Sequence, residues 1–148
     1  MKKSTRRIKK KSMTIVIGSS RLGANIASEA SQHGIYTSII DLSPEAFKKL
    51  DVGYSGYTVI GDATDQSVLE KAHIEEAKEV VITTGDDNTN IFLACMISEF
   101  YSVPYIIVRI RDEKKSEIIT DERINIISTS TLSLQAYKAI RSQEEDEE

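Results

Sequence analysis

Residues 13–41, MTIVIGSSRLGANIASEASQHGIYTSIID, restrict the fold more than any other stretch of the chain. A short apolar run, Met13–Ile17, ends at Gly18. The hexad GSSRLG follows at 18–23, then a helical segment over 24–33, then a second apolar run over 35–40 that closes on Asp41. Strand, glycine turn, helix, strand, acid is the order that a dinucleotide-binding βαβ unit requires. Gly18 sits where a sharp turn demands φ > 0, which costs a residue without Cβ almost nothing. The turn aims unpaired amides at the positive end of the helix dipole, where a phosphate is stabilised. Gly23 lets the helix lie close to the strands. Asp41, at the tip of the second strand, is placed to accept from two ribose hydroxyls. Its charge repels a 2′-phosphate, which favours NAD or an adenosine nucleotide over NADP. Ser20 stands where the pattern usually has its middle glycine. A serine there still permits fairly close backbone approach, and its hydroxyl is available to donate to phosphate.

The rest of the chain repeats the alternation. Ser43-Pro44 reads as an N-cap with proline at the first helical position, opening a helix over 44–50. A loop with two glycines leads to a third strand, Tyr57–Ile60, closed by Gly61-Asp62, and Asp65 caps a helix that runs through Lys71. Residues 79–83 are a fourth strand, whose unbroken VVIT predicts burial on both faces. Gly85-Asp86-Asp87 turns into a helix over 88–101, where Ile91, Phe92, Ala94, Cys95 and Ile97 keep helical spacing. A fifth strand over 105–110, a helix near 113–120, a sixth strand, Ile124–Ile127, and a last helix over 131–140 complete the series. This pattern predicts an α/β fold: a Rossmann-like, doubly wound, parallel six-stranded sheet in the order 3-2-1-4-5-6. The ligand crevice then falls between strands 1 and 4.

A chain of 148 residues suits one domain. No apolar run approaches the ~18 residues of a membrane span, and the run at Met13 is too short for a signal-peptide core. A single cysteine, Cys95, excludes an intramolecular disulfide and any multi-cysteine metal site and fits a reducing cytoplasm. The net charge of -4 is unevenly spread: residues 1–11 carry seven Lys or Arg, and 144–148 are all acidic. Between these ends lie 12 basic and 18 acidic residues. The expected organisation is a flexible basic leader over 1–11, a nucleotide-binding domain over 12–141 and an acidic tail over 142–148. The leader reads either as a solvated arm or as a contact for anionic lipid or nucleic acid. An acidic body without aromatic-basic interleaving argues against a nucleic-acid-binding face.

Three further segments fall at strand ends on the same expected edge: GDATD at 61–65, TTGDDNTNIFLA at 83–94 and IIVRIRDE at 106–113. With GSSRLG and the Asp41 tip they resemble the N-terminal nucleotide-binding domain of RCK or KTN type, the TrkA-N family, over residues 12–141. GDATD followed by a helix ending in Ala-His-Ile is the most specific of these motifs. The D-x-x-N helix start, Asp87 to Asn90, and the strand ending in Arg109 support it. The resemblance implies a cytoplasmic regulatory subunit, peripheral to the inner face of the cell membrane. It implies binding of NAD(H) or ATP/ADP, assembly as a homodimer or higher oligomer, and a membrane potassium transporter or channel subunit as partner. It places Gly18, Ser20, Arg21 and Leu22 along the phosphates and Asp41 at the adenosine ribose. Asp62 and Ala63 flank the adenine, Thr84 and Gly85 lie across the crevice, and Arg109 lies nearby. Ser19, Gly23, Leu42, Gly61 and Thr64 complete the implied cofactor-binding set. Two features depart from the family pattern: Ser20 replaces a glycine, and the small C-terminal RCK lobe has no room in this length.

Several of these residues carry a second, plainer reading. Arg21, at a helix N-terminus, either makes bidentate contacts to a β- or γ-phosphate or is a surface arginine. Asp62 accepts from the adenine amino group or caps the next turn. Asp86 and Asp87 are both candidate helix caps, and for Asp87 capping is favoured over binding. Arg109 reaches phosphate or pairs with an acid at the sheet edge. Cys95 is expected in the core. His33 and His73 have no neighbours at metal-ligand spacing and are read as structural or exposed. No catalytic residue and no metal site are expected. A regulatory nucleotide sensor is therefore favoured over an NAD-dependent oxidoreductase and over a ligand-free Rossmann interaction module.

Overall fold

A computed structural model describes residues 12–146 of the chain. The basic leader expected over 1–11 lies outside the described residues. Six strands form one sheet: β1 Met13–Ile17, β2 Tyr36–Asp41, β3 Tyr57–Ile60, β4 Ala77–Ile82, β5 Tyr105–Arg109 and β6 Ile124–Ile127. Every neighbouring pair is parallel and the order is β3-β2-β1-β4-β5-β6, as the alternation predicts. Among the described residues three α-helices connect strands, α1 Arg21–Gln32, α2 Gln66–Lys71 and α3 Asp87–Phe100, and a fourth, α4 Thr129–Asp146, follows β6.

The period-2 pleat sorts β1 between two cores. Ile15 and Ile17 face one side with Val80, Ile82, Ile106 and Val108, under Leu69 of α2 and Leu93, Ala94 and Ile97 of α3. Val16 faces the other side with Ile39 and Val81, under Ala27 of α1. All five β1 residues are buried, as expected of a central parallel strand covered on both faces. The buried face of α1 consists of Gly23, Ala24, Ala27, Ser28 and Ser31. These small side chains let the helix axis sit close to β1, which brings its N-terminus up to the strand tips.

Four local expectations change. The segments after β2 and β5 are 3₁₀ turns, Pro44–Lys49 and Glu113–Ile118, rather than α-helices. Ser43 makes no side-chain cap bond, although Pro44 does open its turn. Helix α4 begins at Thr129 and continues through Asp146, past the expected end at 140. Cys95 is exposed rather than core. On α3 the residues Ile91, Ala94 and Ile97 face the sheet, while Phe92 and Cys95 fall on the outer side of the same apolar stretch.

Candidate nucleotide-binding site

The crevice is built from the turn that follows β1. Gly18 has φ +94, and a Cβ there would lie 2.8 Å from the Thr84 amide nitrogen, so both conformation and space require glycine. Its own amide donates to the carbonyl of Ile40 at 2.8 Å, and the Thr83 amide donates to the carbonyl of Ile17 at 2.8 Å. These bonds hold the tips of β1, β2 and β4 together.

Ser19 is held at three points. Its amide donates to Asp41 Oδ2 at 2.8 Å, its hydroxyl donates to the carbonyl of Ala46 at 2.8 Å, and its carbonyl accepts from Lys49 Nζ at 3.1 Å. The 3₁₀ turn Pro44–Lys49 therefore braces the glycine loop from the β2 side. Asp41 Oδ1 also accepts the Ser43 amide at 2.9 Å. Each carboxylate oxygen retains a further lone pair for a ligand hydroxyl.

Ser20 is the N-cap of α1, which places the helix start at Arg21 rather than at the expected Ala24. Its hydroxyl accepts from the Gly23 amide at 3.1 Å and donates to Thr83 Oγ1 at 3.1 Å. Thr83 in turn donates to the carbonyl of Gly18 at 3.0 Å. The Ser20 hydroxyl thus ties the start of α1 to the tip of β4. The first amides of α1, at Arg21 and Leu22, have no partner within the helix and point from its N-terminus. Gly23 packs as expected: a Cβ there would lie 2.1 Å from the Gly18 carbonyl oxygen.

Around this turn lies a cavity of about 540 Å³. Its wall takes in Gly18, Ser19, Ser20, Asp41, Leu42, Gly61, Asp62, Ala63, Thr84 and Gly85 from the residues singled out in the sequence. Leu42, exposed, and Ala63, buried, supply apolar surface beside the β2 and β3 tips. Asp62 Oδ1 accepts from the Thr64 amide and hydroxyl at 2.9 and 2.7 Å. Those bonds hold its carboxyl below the usual carboxylate range. They also turn Thr64 back onto Asp62 and away from the cavity wall.

Arg21, Leu22, Gly23 and Arg109 are likewise not on that wall. Arg21 is exposed at the first position of α1. Arg109 lies behind β4, where Nη2 donates to the carbonyls of Thr83 and Thr84 at 3.2 and 2.9 Å. It pairs with no acid at the sheet edge among the described residues. Asn90, buried in α3, completes this backing: Nδ2 donates to the carbonyls of Thr84 and Arg109 at 3.1 and 2.9 Å, and Oδ1 accepts the Thr84 hydroxyl.

The α3 cap is Asp86, not Asp87: Asp86 Oδ2 accepts from the Thr89 amide at 2.8 Å. Asp87 instead reaches the loop after β5, accepting the amides of Arg111 and Asp112, each at 2.9 Å. The cavity also includes Ile17, Ile40, Ala46, Lys49, Thr83, Asp86, Thr89 and Leu93, none of which the sequence marks as site residues. Thr83 and Asp86 sit within the TTGDD motif, next to residues that were marked. Lys49, the cation on the wall, carries no sequence signal at all.

A strand-turn-helix glycine loop facing an acid at the β2 tip, at the switch point of a 3-2-1-4-5-6 sheet, defines the Rossmann class. The chain belongs to the TrkA-N domain family, whose family model matches residues 14–130. It is 30% identical over 127 residues to the Trk system potassium uptake protein TrkA of Streptomyces coelicolor, covering 86% of this chain and 56% of that protein. The chain spans about half the length of the curated relatives it matches. Among solved structures it resembles the GsuK channel bound to NAD, with a TM-score of 0.73 and 25% identity over 90% of this chain and 24% of that one. It also resembles GsuK bound to ADP, with a TM-score of 0.70 and 25% identity over 90% of this chain and 34% of that one. Among the described residues no helix is long and apolar enough to cross a membrane.

Proposed function

We propose that the chain is a cytoplasmic, nucleotide-sensing regulatory domain of a membrane potassium transporter or channel, working as a homodimer or higher oligomer. The ligand is an adenine nucleotide, NAD(H) or ATP/ADP. One observation carries the reading: the Gly18–Ser20 turn, which leads into α1, and Asp41, bonded to it through the Ser19 amide, together line a cavity of about 540 Å³. The residues suit the ligand. Gly18 lets the β1 turn pack against the Thr83–Thr84 backbone, where a Cβ would collide, and the α1 amides would supply an anion subsite. Asp41 offers acceptors to a ribose, and Leu42 and Ala63 offer apolar contact to a base. GsuK, bound to NAD in one structure and to ADP in another, supports this choice of ligands, and the TrkA relatives support a potassium uptake partner.

Regulation follows from differential binding. A nucleotide that favours one arrangement of the assembled domains shifts the partner toward the state coupled to it. Such coupling is typically worth about 1–3 kcal/mol. A ligand of equal affinity for both arrangements shifts nothing.

Titration calorimetry with NADH, NAD, ADP and ATP tests the reading, with Asp41→Ala as the control. The variant loses about tenfold or more in affinity for every nucleotide with a free adenosine ribose diol, the scale of a hydrogen bond to a charged group. Unchanged affinity in Asp41→Ala places the ribose elsewhere, and no heat from any ligand refutes the reading.

A further inference from the structure

The three carboxylates on the cavity wall are not equally committed. Asp41 uses both oxygens on backbone amides, whereas Asp62, on the β3 side, and Asp86, on the β4 side, each bond through one: Asp62 Oδ1 accepts both the Thr64 amide and hydroxyl. Asp86 uses only Oδ2, which accepts the Thr89 amide and hydroxyl at 2.8 and 2.7 Å. Its Oδ1 has no partner among the described residues, and the side chain is exposed on the lip beyond Thr84 and Gly85. The Thr89 bonds hold this carboxyl below the usual carboxylate range, so it is an anion at neutral pH. The cation whose field reaches it is Lys115, whose ammonium donates to Asn88 Oδ1 at 3.2 Å and is not on the cavity wall. Lys49, the cation that is on the wall, belongs to the β2 side and is bound to Ser19.

This arrangement matters for whatever a bound nucleotide extends toward β4. The nucleotide reading above puts the ribose at Asp41 and the phosphates over the start of α1, so on that reading the β4 lip is left to whatever a ligand carries beyond its diphosphate. A nucleoside triphosphate carries a third phosphate toward it, and a dinucleotide carries a second ribose. A carboxylate with one oxygen free accepts from ribose hydroxyls and repels phosphate. We propose that Asp86 is a specificity-determining residue that makes the cavity prefer a dinucleotide over a nucleoside triphosphate. The assignment rests on the nucleotide reading above and names the ligand class for that same site.

The test is calorimetry of NADH, ADP and ATP in EDTA-containing buffer, on the full chain and on Asp86→Asn. Asparagine retains the N-cap acceptor, so α3 keeps its start while the charge is removed. The wild-type chain binds NADH more tightly than ATP. In Asp86→Asn the affinity for ATP rises about fivefold, the effect of removing one unit charge near contact distance in water. ADP, which stops short of the lip, changes by less than about twofold, and added salt narrows the wild-type gap between ADP and ATP. Equal gains for ADP and ATP in the variant overturn the role of Asp86 while leaving the nucleotide reading standing. So does a wild-type chain that prefers ATP to NADH. No binding by any of the three refutes the nucleotide reading and this inference with it.

Discussion

Ser19 on one wall of the cavity and Asp86 on the other differ in how much of their hydrogen-bonding capacity the protein itself consumes. The Ser19 amide, hydroxyl and carbonyl are all bonded, to Asp41, Ala46 and Lys49. Ser20 and Thr83 spend their hydroxyls in the same way. The β1–β2 wall is therefore a preformed frame, in which a ligand meets backbone amides and the remaining lone pairs of Asp41. On the β4 wall the polar network lies behind the lip, in Asn90 and Arg109, and the lip itself presents an uncommitted carboxylate oxygen. A frame set in advance on one side and an open acceptor on the other separate the two tasks of the cavity. On the proposed nucleotide reading, the first wall would seat what all adenine nucleotides share, and the second would meet the part that differs.

Gly23→Ala breaks both walls at once and has the largest expected effect. The added Cβ would stand 2.1 Å from the Gly18 carbonyl oxygen and 2.4 Å from Thr83 Oγ1. That is the junction where the β1 turn meets β4. Since the first neighbour is backbone, α1 has to move off the sheet, at a cost of about 3 kcal/mol, the upper end for overpacking a core. A urea midpoint that stays in place would show that α1 does not sit this close.

Asn90→Ala acts on the β4 wall alone. Asn90 is 1% exposed, and its loss leaves the carbonyl of Arg109 and the hydroxyl of Thr84 short of partners. The cost is about 2 kcal/mol, within the range for buried groups left unsatisfied. If the walls are separate, the variant weakens NADH and ATP more than AMP, which does not extend to β4. Equal losses across the three would mean that the frame on the β1 side depends on Asn90 as well.

The unequal walls also explain what could be read from the sequence. The strand order and the Gly18–Asp41 frame were legible because local rules produce them: period-2 burial, a glycine at positive φ and an acid ending an apolar run. Contacts between segments distant in sequence were not. Lys49 reaches Ser19 across 30 positions. Arg109 bonds carbonyls 25 and 26 positions away. Asp86 and Asp87 both suit a cap by residue type, and the cap is Asp86 alone. Only the fold reveals that the amides of Arg111 and Asp112 lie within reach of Asp87. Cys95 is exposed because Ile91, Ala94 and Ile97 take the sheet-facing side of α3, and spacing alone does not say whether that stripe or the one with Phe92 and Cys95 faces the sheet.

Lys49→Met has the smallest expected effect and bears most directly on the division between the walls. The ammonium bonds one carbonyl of a turn that Asp41 and Ala46 also hold, so the melting temperature moves little and the stability change stays below about 1 kcal/mol. Its charge remains the local counterweight to three carboxylates on the wall, and it sits on the β2 side. Removing it therefore weakens AMP, ADP and NADH alike, by about threefold, as expected for one partly screened charge. Methionine keeps most of the apolar stem, so lost packing does not mimic the effect. A loss confined to ATP would put the ammonium within reach of the third phosphate rather than the shared adenosine half. The two walls would then have to be treated as one electrostatic unit, with Lys49 and Asp86 acting against each other across it.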